Sequence, residues 1–283
     1  MTASVLLRFA AFTTSQDGGN PAGVWVGDAL PSAEVMQQIA RDVGYSETAF
    51  VAPATGFDRT VRFFSPGVEV PFCGHATIAT GVALGVTNGA GTYRMATKAG
   101  VVPVTVEKRG KQWEASLTSV EPEHEAVSDA LVQEALAALG WEPDCLDAAI
   151  PPARAYAGAW HLVLAVADAL RLADLAYDFE ALKAFMLREG FVTLLLVWRE
   201  SDTVFHARNP FPVGGVVEDP ATGAAAAAFG GYLRDAGLLT PPATFIVRQG
   251  EAMGRPSCLG VRVLVEGGIV VTGTAVSLDE PSH

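Results

Sequence analysis

The chain has 283 residues, half of them hydrophobic, a formal net charge of −12 and three cysteines. That length suits two ordinary domains with a core large enough to need no disulfides. The acidic balance argues against nucleic acid and anionic membrane surfaces as partners. Cys73, Cys145 and Cys258 are odd in number and lack a C-x-x-C spacing, so they read as reduced thiols of a cytoplasmic protein without a structural zinc site. No segment reaches the eighteen or so apolar residues that a membrane helix needs.

In chain order, residues 5–12 read as a first strand and not as a signal peptide, because Arg8 interrupts the apolar run and no basic leader precedes it. A polar glycine loop, 16–23, leads to a second strand at Val24-Trp25-Val26. Ser32 opens a helix that runs to Val43, with Gly44 as its left-handed stop. Residues 45–51 read as a strand in which Tyr45, Glu47, Ala49 and Val51 share a face. A carboxylate among those neighbours is a candidate for a raised pKa. Strands at 61–65, 92–96, 101–107 and 112–117 surround a helix at 76–85 that is apolar or small on every side, as a helix enclosed by structure would be. The proline- and acid-rich segment from Ser119 to Glu125 reads as a crossing, which predicts one half at 1–118 and a second at 119–283, with the last strand able to cross back. The second half predicts helices near 128–139, 168–173 and 178–188, strands near 160–166 and 193–198, and a turn over Arg199 to Asp202. A strand at 204–208, a small-residue helix from Ala224 and strands near 244–249, 261–266 and 268–276 complete it. The fold class is therefore α/β, of the α+β kind, with two halves of related design.

One unit is visibly repeated, about half the chain apart. Cys73-Gly74-His75-Ala76-Thr77 and Glu218-Asp219-Pro220-Ala221-Thr222-Gly223 each join a tight turn to a helix of small residues. The free N–H groups and positive dipole end of such a helix make an anion cradle. Gly74, Ala76 and Thr77 in the first unit, and Thr222, Gly223 and Ala224 in the second, are the predicted substrate-binding positions. Two cradles would hold a small anionic metabolite near His75 and Asp219 and leave proton chemistry to them and to a nearby carboxylate. Each residue also has a plainer reading: His75 as a buried histidine at a helix end, Asp219 as an N-cap with Pro220 at N1, and Glu47 as a surface strand residue. His124, His161 and His206 show no ligand spacing and read as structural or exposed.

Gly19-Asn20-Pro21-Ala22-Gly23-Val24, Tyr45-Ser46-Glu47-Thr48-Ala49-Phe50-Val51, Arg62-Phe63-Phe64-Ser65-Pro66, Cys73 to Thr77 and Glu218 to Gly223 occur in one order across nearly the whole chain. Together they resemble the phenazine-biosynthesis PhzF-like family of the diaminopimelate epimerase superfamily. The resemblance implies two pseudo-symmetric domains, each a curled mixed sheet around a central helix, with the active site in the cleft between them. It implies a cofactor-independent, metal-free isomerase in which Glu47 moves a proton between carbons of a small carboxylate-containing metabolite, assisted by His75 and Asp219. Asn20, from the first matching stretch, joins the substrate-binding set.

Two features qualify the resemblance. The family's phenazine enzymes carry serine after the second Thr-Gly, where this chain has Ala224, so a polar substrate contact is missing and a different substrate is expected. In the epimerase branch of the superfamily a thiol at each cradle works on opposite faces of the substrate. Here only Cys73 is placed for that, so an epimerase or racemase using Cys73 is the alternative, and Cys73 reads as small apolar packing. A non-catalytic binding or protein-interaction member is a further alternative, and a homodimer is left open.

Overall fold

A computed structural model describes residues 4–279; residues 1–3 and 280–283, the outermost parts of the two predicted halves, lie outside the described residues. The chain divides by its contacts into one unit of residues 1–118 with 272–283 and another of residues 119–271.

The first unit contains β1 (Val5–Ala11), β2 (Asn20–Val26), α1 (Ala33–Val43), β3 (Glu47–Pro53), β4 (Asp58–Phe64) and the short β5 (Glu69–Val70). α2 (Gly74–Asn88), β6 (Gly91–Thr97), β7 (Gly100–Arg109) and β8 (Gln112–Thr118) follow, with most of the chain's final strand, Val270–Ser277. Pairing runs β1–β2–β3–β4–β6–β7–β8, then to the final strand and back to β1, so the sheet closes on itself. The β2–β3 and β4–β6 pairs are parallel, which makes the sheet mixed. α2 occupies the interior, and every residue from His75 to Gly85 is buried. Its low amphipathicity follows from that enclosure, since no face of the helix meets water. Close approach to the surrounding strands requires glycine: a Cβ on Gly81 would stand 2.7 Å from the Ala115 Cβ.

α1 lies on the outer face of this sheet. Ser32 caps it by accepting from the Val35 N–H, and Gly44 ends it in the left-handed region at φ 72°. Met36 and Ala40 pack with Trp25, Phe50 and Phe64. Because successive side chains of a strand alternate faces, Phe50 against α1 sends Glu47 to the other face of β3, toward α2.

The second unit contains β9 (Glu123–Ala126), α3 (Asp129–Leu139), β10 (Ala153–Tyr156), β11 (Trp160–Val166), α4 (Ala169–Ala173) and α5 (Phe179–Glu189). It continues with β12 (Thr193–Ser201), β13 (Val204–Pro210), β14 (Glu218–Asp219), α6 (Gly223–Asp235), β15 (Ala243–Gln249) and β16 (Ser257–Val263). Its sheet runs β9–β10–β11–β12–β13–β15–β16, with parallel β11–β12 and β13–β15 pairs. α6 packs against β9, β10 and β11 at one end of that order and β16 at the other, so the sheet curls around it. Phe229 of α6 stands edge-on to Phe205 and Phe245, with ring centroids 5.1 and 6.0 Å apart. On the opposite face α3 and α5 cover Leu162, Leu164, Leu194 and Leu196.

Three expectations change. Asn20 to Gly23 belong to β2, held in register with Ala11 to Arg8, although their glycines and proline read as loop. Arg199 to Ser201 continue β12, because a bulge before Ser201 lets the exposed, charged end of the strand stay paired with β13. The strand expected at 261–266 lies at Ser257–Val263, where Ser257, Leu259, Val261 and Val263 alternate inward while a turn takes the glycines after it. Among the described residues, no helix is long and apolar enough to cross a membrane.

Candidate active site

In the first unit the start of α2 and the start of β3 meet. Cys73 is the N-cap of α2 and no side chain caps the helix. The Thr77 hydroxyl donates back to the Cys73 carbonyl at 2.7 Å, which ties down the turn. Gly74 is partly exposed, while Ala76 and Thr77 are buried. His75 follows in the first turn with its side chain 7% exposed, and its Nε2 lies 3.4 Å from Glu47 Oε2, whose side chain is 18% exposed. Ser46 Oγ stands 3.3 Å from the same nitrogen. Cys73 Sγ lies 3.4 Å from Nδ1 and 3.9 Å from Nε2. The imidazole therefore stands beside both a carboxylate and a thiol.

This arrangement follows from local rules. Glu47 is the first residue of β3, so it sits at the strand's mouth on the interior face, and Gly74 gives the chain room to turn into the helix that carries His75. Ser46 Oγ is the hydrogen-bond partner of Nε2, and Glu47 stands within ion-pair distance of the same nitrogen. The thiol, imidazole and carboxylate close into a triangle, with one atom of each within 4.8 Å of the others. Cys73 is partly exposed and beside the ring, not packed away as a small apolar residue as its context suggested. Asn20 is 2% exposed at the start of β2, opposite Ala11 in the register.

In the second unit Asp219 belongs to the two-residue β14, which pairs with Asn209 and Pro210 at the end of β13. It is not the N-cap of α6. That position is Thr222, so Pro220 is not at N1 either, because Ala221 and Thr222 still belong to the turn. Asp219 instead anchors the cap residue, accepting from the Thr222 hydroxyl at 2.6 Å. Gln249, 2% exposed at the end of β15, completes the clamp. Its Oε1 accepts from the Thr222 N–H at 3.2 Å, and its Nε2 donates to the Asp219 carbonyl at 2.7 Å and to Thr222 Oγ1 at 3.0 Å. Arg208 holds the preceding residue in place through a paired ion bridge to Glu218, with both side chains largely buried. Gly223 is buried and Ala224 half-buried in the first turn of α6.

Glu47 and His75 thus come together, with Cys73 and Ser46, in the first unit, while Asp219, Thr222 and Gln249 come together in the second. Sequence reasoning gave no role to Ser46, Gln249 or the Arg208–Glu218 pair. The adjacency of Ser46 to Glu47 was a visible signal; for Gln249, 27 residues beyond Thr222, no local signal existed. His161 and His206 behave as structural or surface groups. His161 is fully enclosed and bonded to Thr193, with burial pushing its pKa down to about 4, and His206 lies between Glu200 and Glu251.

Known proteins resemble the chain along almost its whole length. A crystal structure of a PhzF-family phenazine biosynthesis protein of Bacillus anthracis superposes with a TM-score of 0.86 at 25% identity, covering 98% of both chains. An uncharacterized isomerase of Bacillus subtilis is 30% identical over 294 residues, covering 98% of this chain and 97% of its own. A trans-2,3-dihydro-3-hydroxyanthranilate isomerase of Pseudomonas chlororaphis is 31% identical over 256 residues, covering 89% of this chain and 87% of its own. The profile of the phenazine biosynthesis-like protein family, PhzC/PhzF, matches residues 9–280. With the closed sheet around α2 and the curled sheet around α6, this places the fold in the diaminopimelate epimerase-like class. The chain belongs to the phenazine biosynthesis-like PhzC/PhzF family and, with its named relatives, is an isomerase.

Proposed function

We propose that this isomerase moves a proton between carbons of a small carboxylate-containing metabolite, with Glu47 as the group that takes and returns it. The observation that carries the reading is the 3.4 Å approach of Glu47 Oε2 to His75 Nε2 at the uncapped start of α2. A carboxylate that approaches the imidazole through one oxygen keeps a second oxygen for a carbon-bound proton, and the imidazole stabilises whichever charge state the transfer leaves. The N–H groups of Gly74 and Ala76 in the first turn of α2 suit the carboxylate of the substrate, while the Thr77 N–H donates to the Cys73 carbonyl and Thr77 closes the turn beneath them. Asn20, Asp219, Thr222, Gly223 and Ala224 are proposed as further substrate contacts, with Asp219 in a positioning role. Proton transfer of this kind needs no metal or organic cofactor.

Ala224 gives the reading its specificity. A methyl group in the first turn of α6 cannot offer a hydroxyl, so the preferred substrate lacks a polar group at that point. This sets it apart from the trans-2,3-dihydro-3-hydroxyanthranilate for which the Pseudomonas chlororaphis relative is named.

The reading is tested by incubating the protein in deuterium oxide with a panel of small carboxylic and amino acids and following carbon-bound deuterium by mass spectrometry. Wild type should label at least one compound, and Glu47→Gln should bind it without labelling it. Labelling by Glu47→Gln at the wild-type rate would remove Glu47 from the chemistry. A second reading, racemisation by the thiol, draws on the 3.4 Å between Cys73 Sγ and His75 Nδ1. Under that reading it is Cys73→Ala that abolishes labelling, and alkylation of Cys73 is blocked by substrate.

A further inference from the structure

The three side chains that meet at the start of α2 are also a set of metal donors. One donor atom from each of Cys73, His75 and Glu47 falls within 4.8 Å of the others, with 3.9 Å from Cys73 Sγ to His75 Nε2 and 3.4 Å from that nitrogen to Glu47 Oε2. A tetrahedral zinc ion with bonds of roughly 2.3 Å to sulfur and 2.0 Å to nitrogen or oxygen holds its ligands about 3.3–3.6 Å apart. The cluster is therefore a few tenths of an ångström wider than a zinc site along the two contacts that His75 makes. The sulfur is nearly equidistant from the two ring nitrogens, at 3.4 and 3.9 Å, so the imidazole must turn about its Cβ–Cγ bond to aim the Nε2 lone pair at a shared ion.

From this geometry we infer that Cys73, His75 and Glu47 form a three-ligand site for Zn²⁺ or another borderline-soft divalent cation, and that filling it silences the isomerase. One thiolate, one imidazole and one carboxylate are a donor set that zinc accepts and that magnesium or calcium would not. A cation at a helix N-terminus meets the positive end of the dipole. Here two anionic ligands neutralise the ion, so that opposition is small. Binding forms the metal–sulfur, metal–nitrogen and metal–oxygen bonds, releases the thiol proton to solvent and leaves a water as fourth ligand. It also takes up the His75 nitrogen that faces Glu47 and occupies the carboxylate lone pair needed to take a proton from carbon. The metal site itself follows from the donors; only the silencing rests on the function proposed above.

Cobalt(II) is the probe, added to the full-length reduced protein. The expected result is a thiolate-to-cobalt absorption band in the near ultraviolet, saturating at one ion per chain and displaced by Zn²⁺, with about one proton released per ion at neutral pH. Cys73→Ser should erase the band. Glu47→Gln should keep it but weaken cobalt affinity about tenfold or more, and a Cys145→Ser/Cys258→Ser protein should keep it at full strength. Circular dichroism of each variant checks that it is folded. The absence of a thiolate band in wild type, its survival in Cys73→Ser or its loss in the Cys145/Cys258 double variant overturns the site. In the deuterium assay Zn²⁺ should stop labelling and a chelator restore it. A Cys73-dependent band with labelling unaffected by Zn²⁺ would overturn the silencing and the role of Glu47 together while leaving the metal site standing.

Discussion

The starts of α2 and α6 share a sequence style, a tight turn running into small residues, yet they are finished in opposite ways. Neither N-cap side chain bonds its own helix, but at α2 the groups beside it, Glu47, His75 and Cys73, can all gain or lose a proton. At α6 the turn is closed by its own neighbours: Gln249 and Asp219 together take up the Thr222 hydroxyl and N–H, and Arg208 fixes Glu218. The first has groups to do chemistry with, and the second has been made rigid. One motif can thus serve as a reactive end in one unit and as a fixed frame in the other, depending on which strand residues stand opposite it.

The largest effects should separate the two ends by the kinetic parameter they move. Glu47→Gln should lower deuterium incorporation by about 10²–10⁴-fold with little change in substrate affinity, the range expected for losing a general base. Asp219→Asn should raise KM more than it lowers kcat, since it keeps the shape of a group assigned to positioning. Equal losses of kcat in both variants would erase the distinction drawn here.

Acid should weaken the second unit through His161. Burial holds His161 at a pKa of about 4, well below the ordinary value of 6.5, while its Thr193 bond opposes the shift. The unfolded chain then binds the extra proton first, so stability is intact above about pH 6.5 and falls as pH drops toward 4, by roughly 3 kcal/mol in total for this group. Urea unfolding of wild type and His161→Gln at pH 7 and pH 4 measures it. The wild type should lose about 3 kcal/mol more than the variant, and parallel losses would mean that His161 is not sealed from water.

The frame at α6 can be loosened directly. Gln249→Leu leaves the Thr222 N–H and the Asp219 carbonyl without their partner, which should cost about 2 kcal/mol in urea unfolding and raise KM without touching the proton step. A fall in kcat at constant KM would place Gln249 in the chemistry.

The smallest effect compares the two central helices. A Cβ at Gly81 would meet the Ala115 Cβ at 2.7 Å, whereas one at Gly230 would meet side-chain methyls of Ile269 and Val261 at 3.1 Å and of Val263 at 3.3 Å. Gly81→Ala should destabilise by about 1–3 kcal/mol through overpacking. Gly230→Ala should come out near zero, because about 1 kcal/mol of helix propensity offsets a slight crowding. Thermal melts of the two variants give the order, and equal shifts would mean that α2 is no more tightly gripped than α6.

Much of this molecule was legible in its residues. Helix α1 and its left-handed stop at Gly44, the all-round apolar α2 and the small-residue α6 follow from patterns a few residues long, where capping and periodicity act locally. The face of β3 that carries Glu47 follows from strand alternation alone, and the family from motifs held in one order. Local pattern failed where pairing with a distant strand overrode it, as at Asn20 to Gly23 and Arg199 to Ser201, where turn-forming residues were recruited into the sheet. It failed again at Asp219, which reads as a cap next to Pro220 but is drawn into β14 by Asn209 and Pro210. The meeting of Glu47, Cys73 and His75 and the Gln249 clamp on Thr222 belong to tertiary structure, because each joins a helix start to a strand end elsewhere in the chain. Sequence determined which residue types stand at the two helix starts, since capping, alternation and small-residue packing are short-range. Only the closing of a sheet around each helix decided which partners those residues meet, and so which end can carry a proton and which is held fixed.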